Sequence, residues 1–267
     1  MKNRLTTILV IFLSCMLLQV HVAGAWGMTG HRTIAEIAER HLTKRAKKNI
    51  KKLIGNQKLA YWSNWADFIK SDPDPALNST GAWHFINTAG NLSFEDFNAA
   101  LLNSPEENLY KSYLRVKSSA IHSKDLLLTE KQMNLYYIIH LFADAHQPMH
   151  VSRAEDLGGN KIEVTFFGRK SNIHRVWDSD LVDNEKYSFM EYADVLDIHD
   201  KAFYKNYNVS FEKSLYESHQ LANRIYAQVE NDTNLSYKYI YQYKYIMEEA
   251  LLKAGIRLAN ELNEIYG

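Results

Sequence analysis

The amino-acid sequence predicts a mainly α-helical protein: one compact multi-helix domain with a single short β-hairpin, behind a cleavable leader. Three observations carry that expectation. Apolar residues recur with the helical period through most of residues 29–262. Only one segment alternates with period two, and no internal repeat or Gly/Ser linker divides the chain. The 267 residues, 46% of them hydrophobic, can bury one large core and exclude a low-complexity or disordered chain. Thirty-one Lys and Arg balance 31 Asp and Glu, which argues against a protein that grips duplex nucleic acid through charge alone.

Residues 1–25 read as a secretory signal. Lys2 and Arg4 form the positive segment, Thr6 to Val20 the apolar run, and Ala23-Gly24-Ala25 the small residues before cleavage. Cleavage after Ala25 leaves a 242-residue mature domain, residues 26–267, with no cysteine, because Cys15 lies in the leader. An exported chain without thiols draws its stability from core size or bound metal rather than disulfides. The alternative is a retained N-terminal helix.

Thr29 to Leu42 predicts the first helix, with Thr29 as its cap, and Lys44 to Ile54 a basic amphipathic one. Tyr61 to Lys70 predicts a third, ended by the Asp72-Pro73-Asp74-Pro75 stretch. Phe94 to Lys117 and Lys124 to Ala145 follow, the second closed by Pro148. Lys161 to Phe167 alternates Ile162, Val164 and Phe166 beyond a Gly158-Gly159-Asn160 turn and predicts the hairpin strand. Ser214 to Glu230 and Tyr239 to Leu262 complete the helices. The Tyr-rich run from Tyr237 to Tyr245 reads as core and surface aromatics.

Histidine and aspartate carry the chemistry. His140 and Asp144 are four apart on a predicted helix, and His174 and Asp178 repeat that spacing, so each pair leaves one face. His150 follows past Gln147-Pro148. Imidazole with carboxylate is what a borderline ion such as zinc takes where thiolates are lacking. The same pairs would also serve as ordinary His–Asp hydrogen bonds. Burial of His84 between Trp83 and Phe85 would keep its ring neutral and able to ligate, and Asp67 needs a partner in the apolar Trp65-Ala66-Asp67 stretch. Trp26, if freed by cleavage, offers its α-amino group and carbonyl to one ion, with His31 five residues on. His41, His122, His199 and His219 read as surface residues, and His146 as a hydrogen-bonding neighbour of the ligands.

Five motifs in order give these residues a common context: Trp26-Gly27-x-x-Gly30-His31, Trp65-Ala66-Asp67, Trp83-His84-Phe85-Ile86-Asn87, His140-x3-Asp144-x-His146-Gln147-Pro148-x-His150, and Asn172-x-His174-x2-Trp177-Asp178. Together they resemble the zinc-dependent single-strand nucleases of fungi, plants and bacteria, the type I nucleases or 3′-nucleotidases, which share a fold with the zinc phospholipases C. The resemblance implies three zinc ions. Asp67, His84, His140 and Asp144 would hold one, and Trp26, His31 and the bridging Asp144 the second. His150, His174 and Asp178 would hold the third.

It also implies hydrolysis of single-stranded RNA and DNA to 5′-phosphate and 3′-hydroxyl ends, by in-line attack of a hydroxide held between the bridged ions. Activity on 3′-nucleotides would accompany it. Asp67 would orient the nucleophile or act as base, and Lys70, one turn on, would neutralise charge at phosphorus, unless it is a solvated lysine ending a helix. Phe85 would stack a base and Asn87 contact its edge; Phe85 could equally pack in the core. Relatives often carry Arg where Lys70 stands, Asp where Asn87 stands, and disulfides this chain lacks. Two other readings remain. A zinc phospholipase C on the same fold is disfavoured by Asp178, where those enzymes usually carry Glu. A silent zinc-binding protein would have a broken ligand set. After leader cleavage the expected product is an exported monomer, periplasmic or extracellular, with no membrane anchor and no stable protein partner.

Overall fold

The computed structural model describes residues 26–267, so the leader expectation and Cys15 lie outside the described residues. Among the described residues, eight helices of eight or more residues build the domain: α1 (Met28–Arg40), α2 (Lys44–Ile54), α3 (Phe94–Asn103), α4 (Leu109–Ile121), α5 (Leu128–Asp144), α6 (Phe189–Leu196), α7 (Phe211–Val229) and α8 (Tyr237–Tyr266). Helix α5 is the centre, with every residue from Leu135 to Asp144 buried. Helices α1, α2, α4 and α8 pack around it. Helix α1 lies along α8 at Gly255, where a Cβ atom would stand 2.6 Å from Ile37 Cβ.

The helical periodicity locates the long elements, and four boundaries differ for local reasons. Helix α1 begins at Met28 after Gly27, so Thr29 lies inside it rather than capping it. The predicted Tyr61–Lys70 helix is two single turns, Leu59–Trp62 and Trp65–Phe68, followed by a 3-10 turn Ile69–Ser71. It breaks at Ser63, whose hydroxyl donates to Ala60 O (3.0 Å) and whose carbonyl accepts from His140 instead of continuing the ladder. The predicted Phe94–Lys117 helix is α3 and α4, separated at Ser104-Pro105, where proline offers no N–H and disfavours helix before it. Ser93 and Asn108 cap the two halves. Helix α5 begins at Leu128, after a 3-10 turn Ser123–Asp125.

The expected hairpin pairs β3 (Glu163–Phe166) with β4 (Arg169–Asn172), but its turn is Phe167-Gly168, both at positive φ, rather than Gly158-Gly159-Asn160. A two-residue strand β5 (Asn234–Leu235) joins β3 in parallel. A second, unexpected parallel pair joins β1 (Ile86–Thr88) to β2 (Val151–Arg153), with Ile86 opposite Val151 and Asn87 opposite Ser152. In the tyrosine run Tyr239 and Tyr243 are buried, while Tyr237, Tyr241 and Tyr245 are exposed, as expected. No helix among the described residues is long and apolar enough to cross a membrane.

Candidate active site

The metal-ligand candidates from His31 onward arrive from six separate stretches. His31 sits in the first turns of α1, and Asp67 in the short Trp65–Phe68 helix. His84 ends a 3-10 turn that runs into β1, and His140 and Asp144 share the last turns of α5. His150 ends the 3-10 turn Pro148–His150, which leads into β2. His174 and Asp178 lie on the run Ile173–Asn184, where the backbone passes through a π turn at Val176–Asp180. Pairing of β1 with β2 brings the residues just before them, His84 and His150, to the wall of one pocket.

Three groups of these side chains stand close enough to hold a metal ion: His31, His140 and Asp144; Asp67, His84 and His140; His150, His174 and Asp178. All but Asp67 are buried. Asp144 joins the groups by turning its two oxygens to different histidines. Oδ1 lies 3.3 Å from His31 Nε2 and 3.5 Å from His150 Nδ1, while Oδ2 lies 3.1 Å from His84 Nδ1 and 3.3 Å from His140 Nε2. Asp178 Oδ2 lies 3.1 Å from His174 Nε2, and Oδ1 3.5 Å from His150 Nε2. Asp67 Oδ1 lies 3.7 Å from both His84 and His140, and accepts from Lys70 Nζ at 2.6 Å.

Several of these buried atoms lack any hydrogen-bond partner: both ring nitrogens of His31, His84 Nε2, Asp144 Oδ1 and His150 Nδ1. Leaving so many buried polar atoms unsatisfied is costly unless something else engages them. A nitrogen-and-oxygen donor set without thiolate fits zinc.

Backbone carbonyls orient the rings. His140 Nδ1–H donates to Ser63 O and His174 Nδ1–H to Gly158 O, each at 2.7 Å, which turns the Nε2 atoms inward. Gly158 and Gly159 therefore serve the site rather than the hairpin. A Cβ on Gly158 would stand 2.7 Å from Met149 O, and one on Gly159 2.6 Å from Ile173 Cγ2. Gln147 donates to Asp178 Oδ1, and the Gly27 N–H donates to Asp178 O at 2.5 Å, which ties Gly27 and the buried Trp26 before it to the third group. Gly27 and Gln147 stand in the sequence motifs and Gly158-Gly159 reads there as a turn, whereas the Ser63 carbonyl has no sequence signal.

Electrostatics follow from burial and crowding. Burial lowers the pKa of His31, with His140 adding to it, and pushes that of His84 down to about 4. Burial acts in the same direction on His140, but Asp144 and Asp67 outweigh it and raise its pKa. For Asp144 burial favours the neutral acid, yet His140 and His150 hold it ionised, well below the usual carboxylate range. Asp67 and Asp178 are likewise lowered against burial, Asp67 by His140 and Lys70, Asp178 by His174 and His150.

Beside the groups opens a pocket of about 350 Å³ whose walls include Lys70, Phe85, Asn87, His84, His150 and His174. Phe85 is 40% exposed there, which excludes the core-packing alternative. His146 donates to Phe142 O and accepts from Arg257, so its bonds go away from the nine proposed ligands. His219, expected at the surface, is buried against Leu92 and Thr88 on α7.

The S1/P1 Nuclease family model matches residues 26–267, the whole described domain. The chain belongs to the S1/P1 nuclease family. It is 29% identical to Endonuclease 2 of Arabidopsis thaliana over 91% of each chain, and 26% identical to Nuclease S1 of Aspergillus oryzae over 90% of this chain and 91% of that one. Nuclease P1 of Penicillium citrinum is 28% identical over 58% of this chain and 57% of its own. Membership makes the protein a nuclease. The mainly helical domain and the buried His/Asp groups accord with that assignment.

Proposed function

We propose that this S1/P1 nuclease is an exported endonuclease that hydrolyses single-stranded RNA and DNA to 5′-phosphate and 3′-hydroxyl ends, and removes phosphate from 3′-nucleotides, with three zinc ions. The observation that carries the reading is the set of three His/Asp groups, buried but for Asp67, of which His84, His150 and His174 line one pocket. The ligands would be Asp67, His84, His140 and Asp144 for one ion, His31 and Asp144 with the Trp26 amine and carbonyl for the second, and His150, His174 and Asp178 for the third. Ligation by the Trp26 amine requires removal of residues 1–25, so export and catalysis share one processing step.

Bound zinc supplies Lewis acidity that makes water acidic enough to ionise near neutral pH and offsets charge on phosphate oxygens. The chain's own residues do the rest. Asp67, ionised at the mouth of the cluster, accepts a hydrogen bond from the attacking water and aims it. Lys70 offsets charge that develops on the non-bridging oxygens. Phe85 stacks the base next to the scissile phosphate, and Asn87 both donates to and accepts from its edge. Duplex must unstack before one of its bases can enter the pocket, which favours single strands.

Cleavage of end-labelled single-stranded and duplex oligonucleotides by the secreted protein tests this. Single-strand cleavage that leaves 5′-phosphates and stops with a chelator is expected, from a chain beginning at Trp26. Cleavage that leaves 3′-phosphates, or that chelators do not touch, would overturn the mechanism.

A further inference from the structure

Helix α2 concentrates charge that the mechanism does not use. Lys44, Arg45, Lys47, Lys48, Lys51 and Lys52 are all exposed, and the helix holds no acid. The acids that precede it in the chain are engaged elsewhere: Glu36 pairs with Arg40 and Lys58, and Glu39 accepts from the Leu59 amide. The arrangement works against the helix itself. Lys44 and Arg45 occupy the first turn, at the positive end of the helix dipole. Lys44 and Lys48, Lys47 and Lys51, and Lys48 and Lys52 are like charges four residues apart. Local repulsion kept in a chain with as many acids as bases points to an anionic partner.

A row of aromatic rings leads from that helix to the site. On α5, Gln132 donates to Leu53 O of α2 at 2.7 Å, and His140 lies eight residues on, about 12 Å along the axis. Between them ring centroids follow one another: Tyr61 to Trp62 at 4.9 Å, Trp62 to Tyr136 at 4.2 Å, Tyr136 to Trp65 at 5.2 Å, Trp65 to Tyr137 at 5.3 Å, and Tyr137 to Trp83 at 5.0 Å. Tyr61 is 62% exposed and Trp62, Trp65 and Trp83 are half-buried, so these four present the faces, while the buried Tyr136 and Tyr137 seat them; Trp83 immediately precedes His84.

Cations for phosphates and ring faces for bases are the two chemistries a single strand offers in repetition. We infer that α2 and the aromatic row form an extended docking track for single-stranded nucleic acid, holding the flank of a strand whose scissile phosphate lies at the cluster. This rests on the nuclease reading of the site. It makes long strands better substrates than dinucleotides, through capture rather than chemistry.

The test compares the wild-type holoenzyme with a Lys47→Gln, Lys48→Gln, Lys51→Gln, Lys52→Gln variant on a dinucleotide and on a single strand of about 20 nucleotides. Dinucleotide turnover is expected to be equal, which also shows that the variant folds. For the long strand, kcat/KM at low salt should fall about tenfold, and the log–log salt dependence should flatten by about 0.7 for each phosphate that α2 no longer neutralises. Equal kcat/KM and equal salt slopes would overturn the track while leaving the nuclease reading intact. If neither protein cleaves the dinucleotide, the reading of the site fails first. Fluorescence anisotropy of a cleavage-resistant phosphorothioate strand then still decides the track, which stands only if the variant binds more weakly. Equal strand binding, with only the wild type sedimenting with phosphatidylglycerol vesicles, would make α2 a lipid-binding helix and overturn the proposal.

Discussion

Lys70 Nζ donates to Asp67 Oδ1 at 2.6 Å, and that same oxygen faces His84 and His140 at 3.7 Å. The lysine thus reaches the cluster's edge without belonging to its ligand set. Lys70→Gln should lower kcat by about 10²-fold, the scale of losing one charge-stabilising donor, while bound zinc stays unchanged. Steady-state kinetics beside elemental analysis checks this. A loss of zinc instead would make Lys70 a structural prop for Asp67.

Asp144 faces His31 and His150 with one oxygen and His84 and His140 with the other. Asp144→Asn removes charge from the point shared between two proposed sites. Activity should vanish, and zinc content should drop by more than one ion per chain. Loss of a single ion would show that each group binds independently.

Gly255→Ala sets two effects against each other. Alanine favours a helix interior by about 1 kcal/mol over glycine. The added methyl would sit 2.6 Å from Ile37 Cβ and 3.1 Å from Ile34 O, approaches that neither helix can relieve without separating. Overpacking of this kind costs about 1–3 kcal/mol, so the net change is destabilising and Tm should fall by a few degrees. Calorimetry showing a rise would mean that α1 and α8 slide apart freely.

His219 supplies a pH dependence outside the cluster. Burial, with Arg153 adding to it, lowers its pKa below 6.5. The unfolded chain therefore binds the proton more readily than the folded one, so this stability is present above pH 6.5 and is lost as pH falls through that value toward the folded pKa. Urea unfolding should show the wild type losing more stability than His219→Gln between pH 7.5 and 5, by at most about 1.4 kcal/mol per pH unit. Parallel losses would place the titration elsewhere.

Much of this was legible in the sequence wherever a fixed spacing did the work. His140 with Asp144 and His174 with Asp178 are pairs that four-residue spacing aligns in any helix. Asp67, His84 and His31 come to the same place through tertiary packing, and only their motifs, not their separations, marked them. The pairing of β1 with β2 left no local trace, because three-residue strands depend on partners far along the chain. The carbonyls of Ser63 and Gly158 orient the His140 and His174 rings, yet a backbone atom carries no residue identity. His219 is buried against the surface expectation because it shares a helix face with the buried Leu215 and Ala222. The helix break at Ser104-Pro105 was missed because the apolar period runs on across it.

Elemental analysis of the protein beginning at Trp26 tests the central claim most directly. The buried donor set predicts close to three zinc ions per chain, removed by chelation together with single-strand cleavage. A protein that cleaves single strands while carrying no zinc, or only one ion, would contradict the three-ion cluster.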